Sequence, residues 1–361
     1  MGAEAPPVAY AHRDGRKYAR RHSSALVVPH VTVAVVLAEG ARLALGERAQ
    51  LVVAATGGAE VVVAASPQDA LRRLPATSLT YLLDVNALTA RVALSLAWAR
   101  RPYVVDTGDD PAALARGSQG PVVAVGRALV ERMMLRQARA VVCRGSFHLP
   151  VLRTRTTAPM WWAPDTVPDD LLDGHVESRG GDPGVVASFG SASEPASGDR
   201  AYGWEVVDLV ARCPELEGIL VVNGPGIETL RRRADRLGVR QRVAIAGPRS
   251  LPELARRLGP AGFVTSVQSD DLAGWVRTTG KLPIALGLGK ALVAIRVGEA
   301  SRVLPERFLV DPAGDDELVT QMKGVIEAGI PADWASTAKT LAERFRRSTV
   351  AVGLRGFLAS L

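Results

Sequence analysis

Short, unbroken runs of branched aliphatic residues, each followed by a stretch of helical spacing, recur along most of this chain. This pattern constrains the fold more than any other feature. Val31–Leu37, Leu51–Ala54, Glu60–Ala65, Leu79–Asp84, Pro102–Asp106 and Ala140–Arg144 read as strands, with helical spacing over Pro67–Leu74, Ala87–Ala99 and Gly126–Gln137. A strand that is apolar on every residue, rather than on alternate ones, is buried on both faces, as in a parallel sheet covered by helices. Strands that alternate with helices on this scale imply βαβ units.

The pattern breaks between Arg155 and Gly184, a proline- and glycine-rich stretch with no usable period, read as a connection between domains. Trp161 and Trp162 within it are read as hinge packing. A second alternation follows, with strands at Val185–Phe189, Gly218–Val222, Val243–Ala246, Gly262–Ser266, Ala291–Arg296 and Phe308–Val310. Helices fit Tyr202–Arg212, Gly226–Leu237, Ser250–Leu258, Leu282–Gly287 and Asp315–Glu327, and the tail Pro331–Leu361 reads as helix. The expectation is two Rossmann-like, doubly wound α/β domains facing a cleft: residues 1–165, a linker 166–183, and residues 184–340. A C-terminal helix, 341–361, packs back on the first domain, and residues 1–25 are expected to be disordered.

A length of 361 residues suits two cores of this kind. The net charge is +7, and only five of the 44 basic residues are lysine. Scattered arginines without interleaved aromatics fit a compositional bias of a GC-rich bacterial genome and argue against nucleic acid as a partner. Cys143 and Cys213 stand far apart with no Cys/His cluster, so neither a disulfide framework nor a structural zinc is supported. The apolar run Ala25–Ala38 is too short to span a bilayer, which makes the cytoplasm the expected location.

There is no Walker A sequence, no G-x-G-x-x-G after a first strand, no G-x-S-x-G and no H-E-x-x-H. The GLGK at Gly287–Lys290 falls at a helix end and is not a nucleotide loop. What remains is Arg277-Thr278-Thr279-Gly280-Lys281-Leu282-Pro283, a polar loop that opens a helix. Backbone amides of Thr278, Thr279 and Gly280, with the charge of Lys281, suit a phosphate or the oxygens of a sugar; a plain capped helix with a solvated lysine is the competing reading.

The segment TTGKLPIALGLGKALVAIRVGEASRVL resembles the donor-site segment of retaining, family 4-type glycosyltransferases of the GT-B fold, whose pattern runs roughly SGKLPEYLACGRPVVA and then VGEA. Ala187–Ser191 is similar to the first strand and glycine loop of that family's donor domain, and Leu220–Gly226 and Val243–Leu254 to its next two steps. Pro102–Asp109, Glu131–Gly145 and Pro164–Asp169 resemble its acceptor-side strand, a following helix and strand, and its hinge. The resemblance implies a hexosyl transfer from a nucleotide-diphosphate sugar, with retention and without a metal or other cofactor. It places Asp109, Lys281 and Arg200 in catalysis, and Gly190, Ser191, Arg249, Thr278, Thr279, Gly280 and Glu299 around the donor. Val276 stands where the family has an acidic residue on the donor sugar, and Ile284 where it has a glutamate on the ribose.

Lone residues keep two readings. Asp109 orients the acceptor hydroxyl or caps the turn before Pro111; Glu299 reaches the nucleotide or caps a helix. Asp106 and Asp84 lie at strand ends, His148 is read as a packing or surface histidine, and Cys143 as core. The acceptor is a small molecule or a lipid, which would bring peripheral membrane contact, and assembly into homo-oligomers stays open. Natural-product or envelope-glycan assembly is the expected setting. A GT-B-fold protein without turnover, acting as a binding or scaffold partner, is the alternative.

Overall fold

The computed structural model describes residues 33–38, 43–76, 79–174, 181–192, 201–247 and 250–361. The expectation for residues 1–25 lies outside this set. In the N-terminal half the order is β1 Val33–Ala38, α1 Leu43–Thr56, β2 Glu60–Ala64, α2 Pro67–Arg73, β3 Leu79–Leu83, α3 Ala87–Trp98, β4 Tyr103–Thr107, α4 Pro111–Ser118, α5 Pro121–Gln137, β5 Ala140–Cys143, α6 His148–Arg153, β6 Met160–Trp162 and α7 Asp169–Asp173. The C-terminal half continues with β7 Asp182–Ser191, α8 Trp204–Arg212, β8 Glu217–Asn223, α9 Ile227–Arg236, β9 Val243–Ala246, α10 Leu251–Leu258, β10 Ala261–Ser266, α11 Leu272–Val276, α12 Lys281–Gly287, β11 Ala291–Ile295, α13 Ala300–Val303, β12 Leu309–Val310, α14 Asp315–Glu327, α15 Trp334–Ala342 and α16 Arg347–Ala359.

The strands form two parallel six-stranded sheets, ordered β2-β1-β3-β4-β5-β6 and β12-β11-β10-β7-β8-β9. The second is the doubly wound order with its switch point between β7 and β10, where the crossovers diverge and leave a crevice at the carboxyl ends of the strands. β3, β4, β5, β10 and β11 are buried along their whole length, which explains why their sequences are mostly apolar and show no alternation with charged residues. One face of the N-terminal sheet packs on α2, α3 and α5; the other packs on α1 and α16, through Val350, Ala351, Leu354 and Leu358. The C-terminal helix thus returns to the first sheet.

The structure corrects several expected elements. Leu51–Ala54 is not a strand but the middle of α1; its Leu51 and Val52 are fully buried, and a four-residue apolar run does not distinguish the two states. α4 and the edge strand β6 carry no strong sequence signal. The first part of the connection, to residue 174, is held in place: Val167 pairs with the chain on its way back to α16, its N–H donating to Phe345 O at 2.9 Å and its carbonyl accepting from Arg347 N at 3.0 Å. Trp161 stacks on Phe357 with centroids 5.8 Å apart, and the Trp162 indole donates to Arg144 O at 3.1 Å. Among the described residues no helix is long and apolar enough to cross a membrane.

At the heart of the N-terminal half, Asp106 is fully buried at the end of β4. Its carboxylate accepts from Arg48 Nε of α1 at 2.8 Å, Tyr81 Oη of β3 at 2.6 Å and Arg144 Nε beyond β5 at 2.7 Å. Burial alone would raise the Asp106 pKa, but the two guanidinium groups and the Tyr81 hydroxyl hold it below the usual value. Arg48 also donates to Pro164 O at 2.8 Å, tying the start of the connection to the same group. Removing one member of a buried ion pair strands the other, so Asp106→Ala is expected to cost about 3–5 kcal/mol. Urea unfolding followed by circular dichroism should show this loss, larger than for an alanine at Asp316, whose side chain is exposed.

Candidate functional site

The two sheets turn their carboxyl ends toward one another, and the candidate residues lie on the loops that meet there. On the C-terminal side, β7 ends at the switch point with Ser188, Gly190 and Ser191. Lys281, the first residue of α12, reaches into this end: its Nζ donates to Ser188 Oγ at 3.1 Å. Gly190 adopts φ +119°, and a Cβ there would meet only Lys281 Cε, at 3.8 Å. The glycine therefore gives the strand a left-handed exit and leaves the space beside the lysine open. Burial pushes the Lys281 ammonium pKa down, Glu205 draws it back up, and Arg277 lowers it further.

Arg277 is a functional candidate that the sequence reading did not single out. Its guanidinium lies 3.6 Å from Asp109, 5.4 Å from the Tyr202 ring centroid and 3.4 Å from Tyr202 Oη. The signal is its place four positions before Lys281 in the same polar loop; its role comes from Asp109 and Tyr202, which only the fold brings to it. Arg200 and Arg249, the other expected cations, lie outside the described residues.

Other loop residues bind the halves together. Thr278 N donates to Gly108 O at 3.0 Å, and the Glu299 carboxylate accepts from Ser146 N, across the crevice. Glu299 makes no capping bond to α13. Arg302 donates to Ser146 Oγ at 2.8 Å and lies 4.0 Å from the Phe147 ring centroid, while Trp275 meets the same ring edge-on at 5.1 Å. Thr279 Oγ1 accepts from Lys281 N at 3.2 Å, and Gly280 stands at the helical start without a side-chain cap. The loops touch at glycines: a Cβ on Gly145 would lie 2.7 Å from Val276 O, and one on Gly108 2.8 Å from Thr278 Oγ1. Val276 and Ile284 are buried in the core, apolar where the resemblance places carboxylates. Lys290 of GLGK bonds Gly259 O at 2.6 Å at the amino end of the sheet, away from the crevice.

On the N-terminal side, a cavity of about 200 Å³ opens at the ends of β3 and β4, lined by Asp84, Thr107, Asp109, Leu114, Gln119 and Arg127. Asp84 has φ +66°, an unusual conformation for this residue, and pairs with Arg144 Nη2 at 2.9 Å. The capping role before Pro111 falls to Asp110, whose Oδ1 accepts from Ala112 N at 3.0 Å and Ala113 N at 2.9 Å; Asp109 is thereby left to face Arg277. A gap of about 20 Å³, bordered by Asp165, Gln268, Arg277 and Glu299, separates the halves nearby. Among the described residues no group of His, Cys, Asp or Glu is placed to hold a metal ion.

Compared with solved structures, the chain is 17% identical to HepE of Anabaena in complex with UDP, with a TM-score of 0.65 over 91% of this chain and 100% of that one. It is 16% identical to sucrose-phosphate synthase of Thermosynechococcus elongatus, TM-score 0.69, covering 91% and 100%. With the pneumococcal O-GlcNAc transferase GtfA, solved with UDP and GlcNAc, identity is 12% and the TM-score 0.58, covering 78% of this chain and 56% of that one. No family model matches the chain, and no curated protein matches it in sequence. The fold is GT-B, the two-sheet architecture of glycosyltransferases.

Beside the cavity, Arg155 serves two carboxylates, Asp110 at 2.6 Å and Glu131. Burial raises Asp110, but backbone N–H groups of α4 and Arg155 outweigh it and keep the pKa low. Burial and the neighbouring Asp110 outweigh Arg155 at Glu131 and raise it from 4.5 to about 7. His148 is buried, and neither ring nitrogen has a hydrogen-bond partner among the described residues. Burial takes it from 6.5 to about 4, against the pull of Asp110 and with the push of Arg155 and Arg144. Glu131 removes stability as pH rises from 4.5 to 7, because the folded state holds a proton that the unfolded chain has lost. His148 adds stability as pH rises from 4 to 6.5, because the unfolded chain holds the extra proton. The two slopes oppose each other between 4.5 and 6.5. Equilibrium unfolding of His148→Phe, measured against pH, is expected to show stability declining through that window, where the parent stays nearly level.

Proposed function

We propose that this chain is a glycosyltransferase that moves a hexosyl group from a nucleotide-diphosphate sugar, held by the C-terminal half, to an acceptor in the N-terminal cavity. The observation that carries the reading is Lys281 Nζ on Ser188 beside Gly190, at the switch point of the C-terminal sheet. This is where doubly wound sheets bind nucleotides, and the open space at Gly190 adjoins a cation in place. The resemblance of the Thr278–Leu304 segment supports it, as does the likeness of fold to HepE, solved with UDP-glucose, and to GtfA, solved with UDP and GlcNAc.

Transfer breaks the bond from the anomeric carbon to the diphosphate and forms one to the acceptor oxygen. The acceptor proton passes to the departing phosphate, and the reaction proceeds with retention and without a metal. Lys281 and Arg277 hold the charge that develops on the leaving diphosphate; fixed cations in a partly dry crevice stabilise it more than water does. Arg277 exchanges Asp109 for the phosphate, and Asp109 then orients the acceptor hydroxyl. Gly190, Ser191, Thr279 and Gly280 border the diphosphate, with Arg200 and Arg249 as further cations, and Thr278 and Glu299 contribute once the halves separate. A cytoplasmic bacterial setting in natural-product or envelope-glycan assembly follows from composition.

Val276 and Ile284 favour a second reading, a GT-B-fold protein that binds nucleotide or partner without turnover, since neither side chain accepts a hydrogen bond from sugar or ribose. A thermal-shift screen of UDP, GDP, TDP, ADP and CDP and their sugar conjugates tests both. One nucleotide at 100 times its Kd should stabilise the chain by about 2.7 kcal/mol. Lys281→Ala is expected to abolish the shift, and Arg277→Ala to weaken binding about 10- to 100-fold, the worth of a charge-assisted bond. No shift with any nucleotide at millimolar concentration overturns the reading; a shift without release of the nucleoside diphosphate from the sugar conjugate selects the second.

A further inference from the structure

Helices α3 and α5 lie side by side on one face of the N-terminal sheet, as the successive crossovers β3–α3–β4 and β4–α5–β5 require. Their inward faces are core: Val92, Ala93 and Leu96 on α3, and Ala124, Met134 and Leu135 on α5. Their outward faces are not polar. Leu94 and Trp98 stand out from α3, with the indole 94% exposed; Val122 (84%), Val125 and Leu129 (64%) stand out from α5. At spacings of three and four residues these form one stripe on each helix.

The charge on this surface is of one sign. Arg91 lies on α3, Arg100 just beyond it, and Arg132 and Arg136 on α5, all four exposed. The one acid on the two helices, Glu131, is turned inward and buried against Arg155. Among the described residues no carboxylate pairs with any of these four guanidinium groups. On α5 the exposed series runs Val122, Val125, Leu129, Arg132, Arg136, so apolar and cationic residues share one line of a 17-residue helix.

We infer that the α3–α5 face docks on an anionic lipid bilayer. Aliphatic side chains and an indole enter the headgroup–acyl boundary, while guanidinium groups on long stems meet lipid phosphates. An exposed apolar patch of this extent needs a partner, and the absence of surface carboxylate selects a negative one. A second copy related by a two-fold axis would set arginines against arginines with nothing to neutralise them. Nucleic acid would meet the arginines but gain nothing from Val122, Val125 and Leu129. Docking is a property of these helix faces and does not depend on the transfer reading. Arg127, on the inward line of the same helix, lines the 200 Å³ cavity, so docking through α5 brings that cavity close to the membrane.

The test is co-sedimentation of the full chain with vesicles of phosphatidylcholine alone and of phosphatidylcholine mixed with phosphatidylglycerol. The chain is expected to pellet with the mixed vesicles and much less with the neutral ones. Trp98→Ser/Leu129→Ser and, separately, Arg132→Glu/Arg136→Glu should each lower the bound-to-free ratio roughly tenfold or more, given the contribution of each juxtamembrane charge. Val352→Ser, exposed on α16 over the opposite sheet face, should pellet like the parent, and melting curves should show all variants folded. Equal pelleting of parent and both double variants overturns the proposal, since other basic segments then carry the binding. It is also overturned if light scattering shows a parent dimer that Trp98→Ser/Leu129→Ser converts to monomer while vesicle binding persists.

Discussion

Everything in the N-terminal half is arranged around one buried carboxylate. Asp106 collects Arg48 from α1, Tyr81 from β3 and Arg144 from the exit of β5, and Arg48 continues to Pro164 at the start of the connection. An ion pair in the interior brings little net stability against its desolvation, yet it tolerates few alternative arrangements. Its consequence here is positional. Arg144 is held between Asp106 and Asp84, so the loop that follows it, Gly145–Phe147, reaches the C-terminal half in a defined place. The candidate site inherits its geometry from this group even though Asp106 itself is sealed from solvent.

The crevice between the sheets is narrow because glycines allow it to be. Gly108 and Gly145 sit where any Cβ would collide with Thr278 or with the carbonyl of Val276. Around those contacts, Glu299, Arg302 and Trp275 hold Ser146 and Phe147. Several residues that suit a donor are thus engaged across the crevice, and the 20 Å³ gap beside them has room for about one water. On the proposed reading, a nucleotide sugar needs these contacts to separate, and opening of the halves is then part of binding.

Much of the architecture is legible from the chain. Strands buried on both faces, such as Tyr103–Val105 or Leu292–Ala294, carry a continuous apolar signal because no solvent side imposes alternation. Their alternation with helices yields the two doubly wound sheets, and the motif around Lys281 locates the start of α12. Where the reading departs from the structure, the local signal is shared by two states. Leu51–Ala54 is as apolar as a strand but belongs to a helix whose buried side it forms. Asp109 and Asp110 are adjacent acids before a proline, and only the backbone geometry of α4 assigns the cap to Asp110.

The sequence by itself determined the fold class, the two-part organisation and the placement of a lysine in the first turn of a helix that follows a polar loop. These follow from hydrophobic period and short-range loop chemistry. Tertiary structure alone decided which distant residues meet: Arg277 with Asp109 and Tyr202, Glu299 with Ser146, and Asp106 with two arginines from opposite ends of its domain. It also gathered arginines that are scattered in the chain onto one outer face of α3 and α5, while turning Glu131 inward. Periodicity specifies which side of an element is buried, but it carries no information on which elements become neighbours. That is set by packing of the sheets and by the few buried charges whose partners must be brought within hydrogen-bond reach.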